Sequence, residues 1–425
     1  MAFPNSLRAL RSPNFRRYYL GMLVSMLGTW VQSVAVMWLA YRLSGSTWFT
    51  GLVGFLNTAP HLFLAPFAGV LGDRVDRRKV LIIVLTLLAL QATALAMLTG
   101  LHVITMPLLA ALALFSGVCN AFEQPTRQSI FIELLDRRED LANAIALNSM
   151  LMNGTRLVGP SIGGLLIAGF GEFVCFTVNA VSYLAVLGAL FGVHLAPRAP
   201  RAPSHPFADL REGWRYVMGI LPVRRLLFVL AAVGFSISPY STLMPAMAVT
   251  AFNRGSELVG LFIGCVGLGA FIAALMLARR PSVRGLGKWI PAACVIAGIG
   301  AIGFGVSRDV LASTVLMTMA GFGMFMVGAS CNTILQSVVD EHMRSRVMSY
   351  YQMFFIGVAP LGHYASGWLA EHIGAPRTFM VNGAITLATG ALFFAQLRKF
   401  RSSLRVVYVS RGIIPASQDT RMGNP

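Results

Sequence analysis

Gly69-Val70-Leu71-Gly72-Asp73-Arg74-Val75-Asp76-Arg77-Arg78-Lys79 joins two apolar stretches, each long enough to cross a bilayer. Gly69 and Gly72 have no side chains to keep neighbouring helices apart. Asp73, at a helix end, can pair with an arginine or with the positive N-terminus of another helix. Arg74, Arg77, Arg78 and Lys79 supply cations whose contacts can form and break as helices rock. A connection that only fixed orientation would need the cations, but not the ordered Gly-x-x-x-Asp-Arg-x-x-Arg-Arg.

Reading outward, apolar segments of spanning length cover residues 17–41, 48–71, 80–100, 104–122, 143–169 and 173–195. A second series covers 225–249, 257–278, 288–306, 310–335, 347–370 and 376–397. Hydrophobic residues make up 56% of the 425 and charged residues 12%, against roughly 25% charged in soluble domains. That composition excludes a soluble enzyme and supplies about twelve spans of about 20 residues each. The N-terminal Arg8, Arg11, Arg16 and Arg17 precede an apolar run too long for a signal-peptide core, so this run is read as an uncleaved first span. Cys119, Cys175, Cys265, Cys294 and Cys331 all fall in apolar stretches, with no CxxC pair to suggest a disulfide or zinc site.

The expected organisation is a six-helix bundle over 1–195, a linker over 196–225, a second six-helix bundle over 226–397 and a tail over 398–425. The linker opens on Pro197-Arg198-Ala199-Pro200. It continues into a stretch with Phe207, Leu210, Trp214 and Val217 at helical spacing, read either as a helix on the membrane surface or as a solvated one touching nothing in particular. The tail is polar and is expected to be mobile. With both termini cytoplasmic, 29 of the 34 Lys and Arg lie on inside segments. Arg42, Arg254, Arg308 and Arg377 lie outside, and Arg156 lies within a span. This asymmetry fixes the orientation and explains the net charge of +18 without nucleic acid. Ser149 and Ser349, like Pro160 and Pro360, are 200 residues apart, and the segment from Gly164 resembles that from Gly367, as two halves of common origin would.

The loop from Gly69 resembles the signature of the major facilitator superfamily, with Asp76 where that family usually has glycine. Span 5 carries Arg156-Leu157-Val158-Gly159-Pro160-Ser161-Ile162-Gly163-Gly164. This is similar to the antiporter motif of drug-exporting facilitators, with Thr155 replacing an earlier glycine; read from physics alone, it is a packing seam. Glu123-Gln124-Pro125-Thr126-Arg127-Gln128, Asn153 and Arg346-Val347-Met348-Ser349 resemble the siderophore-exporter branch. The resemblance implies an all-α integral membrane protein of twelve transmembrane helices in two six-helix halves, with helices 1, 4, 7 and 10 lining a central cavity.

The polar residues fit that arrangement. Ser116, Asn120 and Gln124 share one face of span 4, Gly328, Asn332 and Gln336 one face of span 10, and Asn57 and His61 one face of span 2. Arg156 is the only cation expected near the midplane, so it should face the cavity or pair with a carboxylate, Glu123 being the nearest in sequence. Glu123 either binds a coupling proton beside Arg156 or, at the end of span 4, pairs with Arg127 four residues on. His61 is a second proton-binding candidate or simply a packed histidine.

The sequence holds no phosphate loop, metal-ligand pair or nucleophile-base constellation, so neither cofactor nor metal nor enzymatic activity is expected. The expected function is export of a small amphipathic molecule, siderophore-like or drug-like, across a bacterial cytoplasmic (inner) membrane by proton-coupled antiport. The expected partners are the substrate, protons and membrane lipids, with the chain acting as a monomer. A lysolipid flippase on the same fold and a non-transporting receptor or assembly factor are the alternatives.

Overall fold

A computed structural model describes residues 5–74, 76–193, 206–280, 283 and 285–410. These are helices and short connections, with no β-strand among the described residues. The first half consists of α1 (Pro13–Ser44), α2 (Thr47–Arg74), α3 (Arg77–Gly100), α4 (Met106–Glu133), α5 (Leu141–Phe170) and α6 (Glu172–Phe191). The short helix α7 (Pro206–Gly219) follows. The second half consists of α8 (Leu221–Ser236), α9 (Tyr240–Phe252), α10 (Ser256–Ala278), α11 (Leu286–Val306), α12 (Val310–Val338), α13 (Arg344–Phe355), α14 (Ala359–Ile373) and α15 (Ala375–Ala395), and α16 (Leu397–Ser410) closes the chain.

Because α8–α9 and α13–α14 are each one interrupted rod, twelve rods cross the membrane. Nine are long and apolar enough on composition alone, counting only described residues. The seam rods α2, α5 and α13–α14 are not among these; α5 and α13–α14 carry residues such as Asn148, Arg156, Gln352 and His363.

Both interruptions have a local cause. Pro239 lacks the N–H that would bond Phe235, four residues back, and Pro360 likewise leaves Ile356, which accepts from Ala359 at 3.1 Å instead. The two breaks dock on each other. A Cβ on Gly362 would strike the Phe235 carbonyl and one on Gly234 the Phe355 carbonyl, so glycine is what lets these backbones meet.

Three polar residues of the outer spans turn inward and tie neighbouring rods. Gln32 of α1 donates to Gln91 at 3.1 Å and accepts from Asn179 at 2.8 Å, while Asn382 donates to Ser366 at 3.0 Å. Each such bond between membrane helices contributes roughly 0.6 kcal/mol.

Two sequence readings are corrected, that of the linker helix as touching nothing in particular and that of the tail as mobile. The amphipathic α7 is attached to the second half: Trp214 packs on Tyr350 and Phe354, Glu212 pairs with Arg346 at 2.9 Å, and the Tyr216 hydroxyl donates to Asp340 at 2.9 Å. The tail expected to be mobile from Arg398 is helical to Ser410. Phe400, Leu404 and Tyr408, at i, i+4 and i+8, form a buried stripe against the second half, with Phe400 5.0 Å from Phe393. Residues 411–425 lie outside the described residues, as do 194–205 of the linker.

Candidate functional site

The two halves touch along two seams, α2 against α14 and α5 against α10, with α9 adding contacts to α1 and α2. Both seams lie at the end of the bundle away from the chain termini. Of each interrupted rod, the distal segment, α9 or α14, makes the extensive contacts to the first half, while α8 and α13 pack mainly within their own. The halves therefore form a V, joined along the two seams at the far end, with no such seam between them at the terminal end among the described residues.

The seams repeat one arrangement. On α2 the Thr47 hydroxyl donates to the Gly367 carbonyl of α14 at 3.1 Å; on α10 the Ser256 hydroxyl donates to the Gly164 carbonyl of α5 at 3.2 Å. Four residues on from each hydroxyl stands a glycine. A Cβ on Gly51 would lie 2.9 Å from the Cα of Gly367, and one on Gly260 would lie 2.8 Å from the Cα of Gly164. Gly164 and Gly367 are the residues that open the two similar segments in the sequence, so the repeat is expressed as a pseudo-twofold pair of helix crossings.

One feature breaks the symmetry. Glu371, on α14, accepts from the Thr47 N–H at 2.8 Å, the Trp48 N–H at 3.1 Å, the Thr47 hydroxyl at 2.9 Å and the Ser46 hydroxyl at 3.0 Å. A carboxylate of one half thus caps the first helix turn of a rod in the other. Partial burial pushes this carboxyl up, but the bonds from Trp48, Thr47 and Ser46 outweigh it and hold the group below the usual carboxylate range. About two turns back along α14, His363 lies buried between the halves, its Nδ1 2.6 Å from the Thr242 hydroxyl of α9. The sequence reading missed both residues. Glu371 had one signal, a carboxylate inside the repeated segment where the first half has Ala168.

The predicted site residues are distributed as follows. Gly69, Gly72, Asp73 and Arg74 lie outside the residues with described side chains, although the backbone is helical to Arg74. Arg77 pairs with Glu133 of α4 at 2.9 Å, and Arg78 donates to the carbonyls of Leu190 and Phe191, closing the terminal end of α6. Asp76, where glycine was expected, caps α3 by accepting from the Arg78 N–H at 2.9 Å.

The span-5 motif is where α5 meets α1 and α10. Trp30 fills the space a Cβ on Gly159 would take, Val31 crowds Gly163, and the carbonyl of Pro160 faces Gly260. The Trp30 ring lies 5.7 Å from the guanidinium carbon of Arg156, a cation–π contact. Glu123 does not reach Arg156. It accepts from Arg127 at 2.8 Å, and the pair is buried. Four-residue spacing along one helix places these two groups together, whereas Arg156 sits on another rod.

Asn57 donates to Ser116 of α4 at 2.7 Å, an internal tie of the first half. His61 keeps a buried Nδ1 without a hydrogen-bond partner among the described residues. Asn120 is half-buried on α4, and Asn332 on α12 accepts from Gln336 at 2.8 Å.

Two six-helix halves joined along paired glycine seams at one end form the architecture of a membrane transporter. The family model for transmembrane secretion effectors matches residues 5–408, and the chain belongs to that family of the major facilitator superfamily. It is 24% identical over 382 residues to the Staphyloferrin A transporter of Staphylococcus aureus, covering 89% of this chain and 95% of the relative. It is 26% identical over 383 residues to the multidrug efflux pump Tap of Mycolicibacterium fortuitum, covering 88% and 93%. To the enterobactin exporter EntS of Citrobacter koseri it is 23% identical over 394 residues, covering 92% and 94%. Among solved structures, a bacterial homolog of the human lysosomal transporter Spinster, in an inward-facing and unoccupied conformation, superposes with a TM-score of 0.68 at 16% identity, covering 92% and 98%. That likeness concerns the fold.

Proposed function

We propose that this transporter exports a small amphipathic molecule, siderophore-like or drug-like, from the bacterial cytoplasm across the inner membrane, exchanging it for protons. The observation that carries the reading is the V: glycine seams and the Glu371 cap join the halves at one end only. With both termini cytoplasmic, as the cation asymmetry supports, this is the inward-open state, ready to receive cargo from inside. The family and the siderophore and drug exporters among its relatives support the cargo class.

Proton coupling is assigned to Glu123. Its charge is held by Arg127 in a buried pair, and removing one partner of such a pair costs about 3 to 5 kcal/mol. Protonation must therefore accompany a movement that separates them. His61, with its unpartnered buried nitrogen, is the second candidate. The test is export from inside-out vesicles holding the purified protein, with catecholate and hydroxycarboxylate siderophores and a lipophilic dye cation as cargoes. Substrate accumulation driven by an imposed proton gradient is the expected result. Absence of movement for all cargoes, with correctly inserted protein, would remove the export reading.

A further inference from the structure

The terminal ends of α8 and α15 frame a cleft of about 360 Å³ that belongs to neither seam and lies outside the V. Its mouth is cationic, with Arg224 and Arg225 in the first turn of α8. Arg225 donates to the Gln396 carbonyl at 3.3 Å, which draws its guanidinium over the end of α15. Among the described residues no carboxylate pairs with either arginine. The positive end of α8 adds to the field, because Ile220 at its N-cap offers no side-chain acceptor. Arg398 and Lys399, exposed at the start of α16, stand just beyond Gln396.

Further along both helices the cleft becomes apolar. Phe228 and Leu392 line it, and both face outward, 55% and 48% exposed. In a chain whose rods span a bilayer, such side chains face acyl tails, while the arginines stand at headgroup level. Uncompensated cations at the membrane surface running into an outward-facing apolar wall match one kind of molecule.

We propose that this cleft binds an anionic glycerophospholipid, with Arg224 and Arg225 on its phosphodiester and an acyl chain along Phe228 and Leu392. Arginine forks suit phosphate oxygens, and basic pockets between membrane helices attract anionic headgroups. The bound lipid would link α8, the terminal segment of an interrupted rod, to α15.

The experiment is native mass spectrometry of the full chain in detergent, titrated separately with phosphatidylglycerol, phosphatidylcholine and inorganic phosphate. Wild-type protein should retain phosphatidylglycerol over phosphatidylcholine. The double variant R224Q/R225Q should lose about tenfold or more of the phosphatidylglycerol signal with little change for phosphatidylcholine. L392W keeps both arginines and blocks the acyl path, so it should also lose phosphatidylglycerol, and it carries the decision if the double variant does not fold. Wild-type retention in either folded variant overturns the site. An equal loss in the control R398Q/K399Q would reduce it to surface charge. Displacement of phosphatidylglycerol by inorganic phosphate, with L392W harmless, would make it a free-phosphate site.

Discussion

The carboxylate of Glu371, in the second half, accepts the backbone N–H of Thr47, in the first half, at 2.8 Å. This contact must break if the far end is to open, since Thr47 and Glu371 belong to different halves. Glu371→Gln keeps the shape and removes the charge from hydrogen bonds that are stronger with an ionised acceptor. The expected outcome is about a fivefold larger far-end-open population, a modest figure because the site is partly exposed to solvent. Thiol labelling of Thr242→Cys, a position buried between the halves, reads that population once the five native cysteines are replaced.

The same contact gives a pH dependence. In the closed state Glu371 sits below its ordinary value of 4.5, and in the open state its partners are gone. Closure therefore gains stability that is fully present above about pH 4.5 and is lost as pH falls through the lower, closed-state value. Labelling of Thr242→Cys from outside should rise as the external medium is acidified below that point. In the Glu371→Gln background the rise should vanish; a persistent rise would assign it to another group, with His363 and His372 the nearest titratable side chains on α14.

The glycine seams predict a contrast within one helix. Gly164→Val places a side chain where Gly260 already sits, whereas Gly169, five residues on, has no neighbour within 4 Å. Gly164→Val should lower transport by about tenfold or more at equal membrane abundance, from overpacking of about 1 to 3 kcal/mol at the closed seam. Gly169→Ala should transport normally. Equal effects in initial-rate assays would contradict the seam.

Glu123 and Arg156 occupy different environments and should respond differently. Arg127→Gln breaks a buried ion pair, so it should lower the unfolding midpoint more than Arg156→Gln, which removes a cation–π contact of about 1 kcal/mol. Glu123→Gln should abolish proton-driven efflux while sparing counterflow exchange. Loss of neither would move the coupling role to His61.

Much of this fold is readable from hydropathy, because a bilayer allows few solutions for an apolar chain. The spans follow from local composition, and so does the likeness of the segments that open at Gly164 and Gly367. The span-5 glycines are readable as a seam, but not the helices they meet, because Gly260 and Trp30 are distant in sequence. Glu371 shows the limit most clearly. Its partners lie more than 320 residues away, and nothing in Ser46-Thr47-Trp48 announces an acceptor from another span. Glu123 shows the opposite limit: Arg127, four residues on, was the nearer partner all along, and helical geometry favoured it over Arg156.

The central claim is that the halves alternate about a closed far end and an open terminal end. It is tested most directly by paired spin-label distances in one reconstituted sample. One pair reports the terminal end, at Gln128 on α4 and Gln336 on α12, and the other the far end, at Trp48 on α2 and Trp368 on α14. Upon substrate addition under a proton gradient, the terminal distance should shorten as the far distance lengthens. Distances that change in the same direction, or a terminal pair that never closes, would contradict alternating access.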